Sequence, residues 1–449
     1  MNTSTQLLYL RSFLDYYPGA RRGGIMSFGQ RLKEIREGFE RPFWVANISE
    51  IFERLSYYGA FASLALYLQG KLNFSTEQTG TLTGIFGGMV WFLAIFGGAV
   101  ADKLGFRRAL SVAYLILAAA YFLIGSIGAS WLAPIRNAMP LSLFVGCILI
   151  LPALGISLVK PCVVGTTARA SKENVRTLGY SIYYTLVNIG GTAGPYVADW
   201  AHTHLGVEKV FAVAALSVFA MFFLVLFFFR EPRKANDAPP PSIAQVGRNF
   251  LTVLSNPKFM LFLLIFTGYW IVFWQQYISL PGFIHTYIDP NARVERILVT
   301  DGLTVISLTL VINHLTRNIA PFGAVILGTL ISSLCWLIIA FQPTVVGAVL
   351  SIIVLALGEI IQAPRYYEYI AKLAPAEQQG LYMGFAFLPI GIGSLVGGWF
   401  GGRVMHQFAE VAHQPQRAWY AIVCVGLLTT LLLWIYDRVV KPSKENDTR

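Results

Sequence analysis

The sequence predicts an all-α membrane protein of twelve transmembrane helices arranged as two six-helix halves, and three observations carry that expectation. Of 449 residues, 55% are hydrophobic and 13% charged, with a mean hydropathy of +0.59; a soluble domain carries about 25% charged residues. Apolar runs long enough to cross ~30 Å of hydrocarbon recur along the chain. A polar stretch from Arg230 to Pro257, containing Pro239-Pro240-Pro241 and several basic residues, separates six of these runs from the next six.

The runs fall near 43–68, 80–101, 107–128, 141–166, 177–200, 208–230, 259–283, 298–314, 319–341, 344–370, 380–402 and 417–438. Asp301, Asn313 and His314 shorten the apolar part of the eighth. The expected organisation is an N-terminal segment 1–42, a half 43–230, a linker 231–258, a half 259–438 and a tail 439–449. Of 34 Lys and Arg, 24 lie in the terminal and even-side segments, seven in the opposite loops, and Arg54, Lys160 and Arg365 within spans. That asymmetry puts both termini in the cytoplasm of a multi-pass protein of the plasma (inner) membrane. Orientation in the lipid bilayer thus accounts for the net charge of +11, and no nucleic-acid partner is expected. The working unit is expected to be a monomer.

Residues 1–42 lack the continuous apolar core and cleavage site of a signal peptide. Met26 offers a second start, and Ser27 to Glu40 has the pattern of a short surface helix. Cys147, Cys162, Cys335 and Cys424 lie in apolar stretches without metal-ligand spacing, so they read as core residues. His202 and His204 read as a solvated loop. No metal or cofactor is expected, nor a phosphate loop or soluble catalytic domain, which excludes a primary pump and an enzyme.

The halves echo one another. Leu154-Gly155 precedes Pro161 in the fourth span as Leu357-Gly358 precedes Pro364 in the tenth, at the same offset. Gly190, Gly191 and Gly194 in the fifth span match Gly391, Gly393, Gly397 and Gly398 in the eleventh. Parallel six-helix repeats place a transporter's site between the halves near the midplane, and small residues let helices pack closely.

Within the first span, Glu50-Ile51-Phe52-Glu53-Arg54-Leu55-Ser56-Tyr57-Tyr58-Gly59 sets three ionisable side chains in an otherwise apolar helix. At 100° per residue, Glu50, Glu53, Arg54 and Tyr57 share one narrow face. A charge at the centre of a lipid-exposed helix costs roughly 2.5–3.5 kcal/mol, so this face must look into protein or water. Glu50 lies ~10 Å and Arg54 ~16 Å inside the cytoplasmic end. Lys160 on the antiparallel fourth span lies ~9 Å inside, and a basic residue at that depth needs an acidic partner. Pro161 removes a backbone donor beside it and favours a local break.

Gly97-Gly98-Ala99-Val100-Ala101-Asp102-Lys103-Leu104-Gly105-Phe106-Arg107-Arg108, between the second and third spans, resembles the signature cytoplasmic loop of the major facilitator superfamily. Gly105 allows a tight turn, Asp102 can accept bonds from a helix N-terminus, and Arg107 and Arg108 hold the inner surface. The resemblance implies the superfamily fold and a latch between halves built on Gly98, Asp102, Gly105, Arg107 and Arg108.

Glu50-x-x-Glu53-Arg54 followed by Tyr57-Tyr58-Gly59 resembles the motif of the proton-dependent oligopeptide transporter family. Lys160-Pro161, Asn188 in Tyr183-Tyr184-Thr185-Leu186-Val187-Asn188-Ile189-Gly190, Phe273-Trp274 and Gly358-Glu359 also match family positions. The implied function is proton-coupled symport of di- or tripeptides, or peptide-like solutes, by alternating access. A peptide is a zwitterion, so Arg54 and Lys160 would receive its carboxylate. Glu359 and Asn188 would receive its ammonium, and Tyr57, Tyr58 and Trp274 would supply walls and hydrogen bonds. Because Arg54 stays charged, the titrating group is a carboxylate: protonation of Glu53, or of Glu50, would free Arg54 and Lys160 for substrate.

Three departures bear on the cargo. Phe61 stands where many bacterial relatives carry an arginine, Arg365 adds a charge to the tenth span near Glu368, and Thr166-Thr167-Ala168-Arg169 replaces an acidic loop. Two alternatives follow: a proton-coupled transporter of another small organic anion, and a non-transporting membrane receptor with the same fold.

Overall fold

The computed structural model describes residues 37–232, 248, 251–374 and 379–440. The possible second start at Met26, most of the surface helix expected over 27–40, most of the linker and nearly all of the tail lie outside them.

Among the described residues, twelve long helices occupy the twelve expected positions. In the first half they are α1 (Arg41–Leu66), α2 (Thr76–Leu104), α3 (Phe106–Gly125), α4 (Leu141–Arg169), α5 (Arg176–Leu205) and α6 (Val207–Phe228). In the second they are α7 (Pro257–Phe273), α8 (Val294–Leu315), α9 (Pro321–Phe341), α10 (Val345–Leu373), α11 (Leu388–Met405) and α12 (Pro415–Val439). The bundle has a terminal end, where α1 begins and α12 finishes, and a far end, where α1 finishes and α12 begins.

Local chemistry sets the boundaries. Pro42 opens α1 in its first turn, where a missing N–H costs nothing. Ser75 and Gln78 form a reciprocal capping box at the start of α2, and the Asn256 side chain caps α7. Between α2 and α3 the chain reverses in one residue, Gly105 at φ +81°, a conformation that favours glycine.

Among the described residues, nine helices are long and apolar enough to cross a membrane, and ten with α2, which bends by 57° between Thr76–Ala94 and Phe96–Leu104. The two that fall short are α1 and α5. Their apolar pattern is interrupted by Glu50, Glu53 and Arg54 on α1, and by Asn188 and Thr192 on α5. Apolar side chains on the outside of the bundle are left open: Leu216, Phe227, Leu264 and Phe341 are 66–70% exposed, as lipid contact requires.

Backbone approaches hold the bundle. Within the first half, α5 lies against α1 so that a Cβ on Gly194 would come within 2.5 Å of the Leu55 carbonyl. Between the halves, α2 and α11 form a seam: a Cβ on Gly80 would meet Gly398 O at 2.6 Å, and one on Gly84 would meet Ser394 O at 2.6 Å. The seam uses small residues four apart on both helices, Gly80, Gly84 and Gly88 against Ser394, Gly398 and Gly402.

One expectation about breaks is corrected. The helix around Pro161 is continuous, since α4 runs through both Pro152 and Pro161, packed between α2 and α3. The interruptions come elsewhere. α7 is locally irregular at Trp274 and continues through Gln275–Ile278 and Leu280–Phe283, so that Pro257–Ile278 makes one span, and a short helix, Gln379–Phe385, precedes α11.

Candidate functional site

The α1 face is buried in protein. Glu50, Glu53 and Tyr57 are 0% exposed and Arg54 2%. Arg54 is in direct contact with Glu53, its Nε lies 3.5 Å from Glu50 Oε1, and its guanidinium sits over the Tyr57 ring at 5.4 Å. Both Glu50 oxygens, Glu53 Oε1 and the Tyr57 hydroxyl have no hydrogen-bond partner among the described residues. A buried ion cluster with polar atoms unsatisfied is a poor stabiliser, so its presence asks for a reason beyond folding.

Lys160 does not take the ionic partner its depth suggests. Its Nζ lies over the Trp91 ring at 4.5 Å and near the Phe387 ring at 5.7 Å. No carboxylate lies within 4 Å of it among the described residues. The aromatic faces take the ammonium instead, because Arg54 already occupies both glutamates. Trp91 and Phe387 belong to opposite halves and stack at 5.5 Å.

A cavity of about 240 Å³ lies between the halves. Tyr58, Trp91 and Tyr184 line it from the first half, and Trp270, Trp274 and Tyr367 from the second. Its polar lining includes Asn188, Asp301, Glu359 and Gln362, with no basic side chain among the described residues. The expected site residues therefore divide. Tyr58, Asn188, Trp274 and Glu359 line the cavity, whereas Glu50, Glu53, Arg54, Tyr57 and Lys160 lie outside its wall. Trp274 is fixed where α7 is irregular, its Nε1 donating to Ile390 O at 3.1 Å. Phe61 stacks on Tyr277 with ring centroids 4.7 Å apart, so the position noted for its missing arginine is filled by an aromatic wedge.

The loop from Gly97 to Arg108 is tied within the first half. Asp102 accepts from Arg169 at 3.3 Å. The start of α3 is capped by Glu231, not by Asp102: Phe106 N and Arg107 N donate to its two carboxylate oxygens at 2.8 and 2.9 Å. Asp102 lies in the last turn of α2, facing α4, which leaves the cap to the acid that follows α6. Arg365 pairs with Glu368 at 2.9 Å, away from the cavity.

The far end carries polar ties that sequence reading missed. Arg293 Nε donates to Asp199 Oδ1 at 2.7 Å, and Arg296 lies 3.3 Å from Asp199 Oδ2. Glu295, 2% exposed, accepts from Ser63 at 2.8 Å and lies 2.7 Å from His202 Nδ1. His202 and His204 are in the last turn of α5 rather than in a loop, because that helix runs past the apolar run. The charges on both sides of the far-end loops were the available signal; for the α2 seam it was Gly80, Gly84 and Gly88 at four-residue spacing.

Two bundled six-helix halves enclosing a cavity between them are the architecture of a secondary membrane transporter. The sequence pattern of the Major Facilitator Superfamily matches residues 47–313, and the chain belongs to that superfamily. Multidrug resistance protein MdtH of Aeromonas salmonicida is 26% identical over 344 residues, 76% of this chain and 81% of that protein. A crystal structure of peptide transporter POT in complex with alafosfalin shares the fold at a TM-score of 0.71 and 19% identity, covering 88% of this chain and 95% of the other. The nucleoside transporter NupG does so at 0.73 and 14%, covering 88% and 99%.

Proposed function

We propose that the protein is a proton-coupled symporter that imports di- or tripeptides, or peptide-like solutes, by alternating access. The observation that carries this reading is the separation of charge across the midplane. Arg54, locked by Glu50 and Glu53, is on one side, and Glu359, with no ion-pair partner among the described residues, is on the cavity wall. Protonation of Glu53 releases Arg54, and Lys160 stands one ring behind the cavity, over Trp91. The substrate carboxylate goes to these two cations, and its ammonium to Glu359 and Asn188. Tyr57, through its contact with Arg54, follows the clamp, while Tyr58 and Trp274 wall the cargo.

With both termini cytoplasmic in the inner membrane, the far end faces outward, and its ion pairs seal the path to the outside. Re-formed Glu50–Arg54 and Glu53–Arg54 pairs in that conformation fit a transporter that has released cargo and proton inside. The boundaries 43–230 and 259–438 are the two rocking bodies, joined by 231–258, in a monomer. Gly98, Asp102, Gly105, Arg107 and Arg108 form the latch that engages when the halves close at the terminal end.

A second reading is transport of organic cations. It is favoured by a cavity with two carboxylates, many aromatic faces and no basic lining residue among those described, and by the multidrug resistance name of the sequence relatives. The same carboxylates disfavour an organic anion without an amine. Uptake of labelled dialanine into proteoliposomes, with and without an inward proton gradient, separates the readings. Accumulation only with the gradient is expected; a lipophilic cation accumulating in its place overturns the peptide reading.

A further inference from the structure

One buried face of the first half enters none of the roles above. On α3, Leu110, Tyr114, Leu117, Tyr121 and Ile124 are all 0% exposed. The three aliphatic side chains need no partner there, but a buried phenol usually finds one. Tyr114 and Tyr121 are two turns apart along the helix and about 20° apart around it, so both side chains leave α3 on the same side. α3 packs on α4 and α6, and these pack on α1; a long side chain can reach α1 between them. The register is fixed at two points. Tyr67, the residue after α1, donates its hydroxyl to Ile124 O at 2.9 Å, and a Cβ on Gly155 of α4 would meet Ala113 O of α3 at 3.0 Å.

The two phenols meet the two glutamates of α1 in order. Tyr114 faces Glu50 and Ser49, and Tyr121 faces Glu53, Tyr57 and Arg54. Ser49 donates its own proton to Ala46 O, which leaves its oxygen to accept from Tyr114. Tyr121 differs: its hydroxyl is without a hydrogen-bond partner among the described residues. Glu53 has the complementary need, since Arg54 holds Oε2 and Oε1 has no partner among the described residues. Buried polar groups are normally satisfied, and here a donor on α3 and an acceptor on α1, both unanswered, face one another.

We propose that Tyr121 is the positioning residue of the Glu53 switch: its hydroxyl donates, directly or through one water, to Glu53 Oε1 while Arg54 holds Oε2. The assignment rests on the reading of Glu53 as the proton carrier and adds to it the partner that stays. When Glu53 takes a proton at Oε2, Arg54 leaves, and Tyr121 keeps the carboxyl in place for its return. A phenol donating to a carboxylate favours the ionised form, so the pH at which the switch turns is set from α3. The other groups facing Glu53 are Glu50, Arg54, Tyr57 and Tyr58 on α1, Lys160 from α4, Tyr114 from α3 and Tyr183 from α5. α2 and α6 carry ionisable side chains only in their end turns. Tyr57, whose hydroxyl is also unpartnered among the described residues, carries Arg54 on its ring and so follows the clamp; Tyr121 stands on a helix outside it.

Infrared difference titration of the full chain in lipid nanodiscs reads the C=O stretch of a protonated carboxyl without any cargo, and Glu53→Gln identifies the band by removing it. Tyr121→Phe, which loses only the hydroxyl, is expected to move the pH midpoint of that band up by about one unit, as for one hydrogen bond to a charged group. Tyr114→Phe should leave it in place. A ring-fluorinated tyrosine at position 121, a stronger donor, should move the midpoint down, which a merely structural role would not do. A midpoint unmoved by either change at position 121, or moved by Tyr57→Phe instead, overturns the proposal and leaves Glu53 as the switch. If Glu53→Gln removes no titrating band, the switch reading falls and takes the proposal with it.

Discussion

The two walls of the transport path hold acidic residues in opposite ways. On the first half, Glu50 and Glu53 are sealed from the cavity and paired with Arg54; on the second, Asp301 and Glu359 line the cavity with no counter-charge among the described residues. A carboxylate already holding a cation changes what that cation does only when it takes a proton. A carboxylate facing empty space is free to meet whatever enters. The first arrangement suits switching and the second recognition, and the two lie on opposite halves of the bundle.

The strongest way to break that contrast is to remove the switch alone. Glu53→Gln should abolish gradient-driven dialanine uptake in proteoliposomes and leave peptide counterflow intact; equal loss of both would show that the first wall recognises rather than switches. Next in size, Arg54→Ala leaves two carboxylates buried without a cation and should destabilise the protein by about 3–5 kcal/mol, read as earlier thermal unfolding in detergent. Unchanged unfolding would mean the cluster is not held against a cost.

A smaller effect tests whether the walls must move. Gly84→Leu inserts side chain where even a Cβ would meet Ser394 O at 2.6 Å; overpacking of about 1–3 kcal/mol should hold the far end apart. Cysteine labelling at that end should rise and uptake fall. The smallest effect is expected for Asp199→Asn. Its partners Arg293 and Arg296 are 40% and 49% exposed, so solvent screening limits the loss to under about 1 kcal/mol, and far-end labelling should rise only a few-fold.

The sequence disclosed the helices and the α1 face because both depend on local periodicity. Glu50, Glu53 and Arg54 stand out against apolar neighbours within one turn of helix. What it could not disclose depended on which helix lies opposite which. Lys160 looked as if it needed a carboxylate, and only the packing of Trp91 and Phe387 over its ammonium reveals the aromatic alternative. Asp301 looked like a flaw in the eighth span, since its meaning comes from Glu359 on another helix. The expected break at Pro161 failed for a related reason: proline removes one hydrogen bond, and packing on both sides decides whether the helix bends.

Glu231 adds a mechanical point. It is the third residue after α6 and opens the connection to the second half, yet both of its carboxylate oxygens are bound to the first turn of α3. Arg107 reinforces this clip by donating to Leu226 O at 2.7 Å. In the proposed rocking of the halves, a pull on Glu231 would therefore reach the turn at Gly105 as directly as it reaches α6. The connection between the halves thus begins anchored on the residues proposed as the latch.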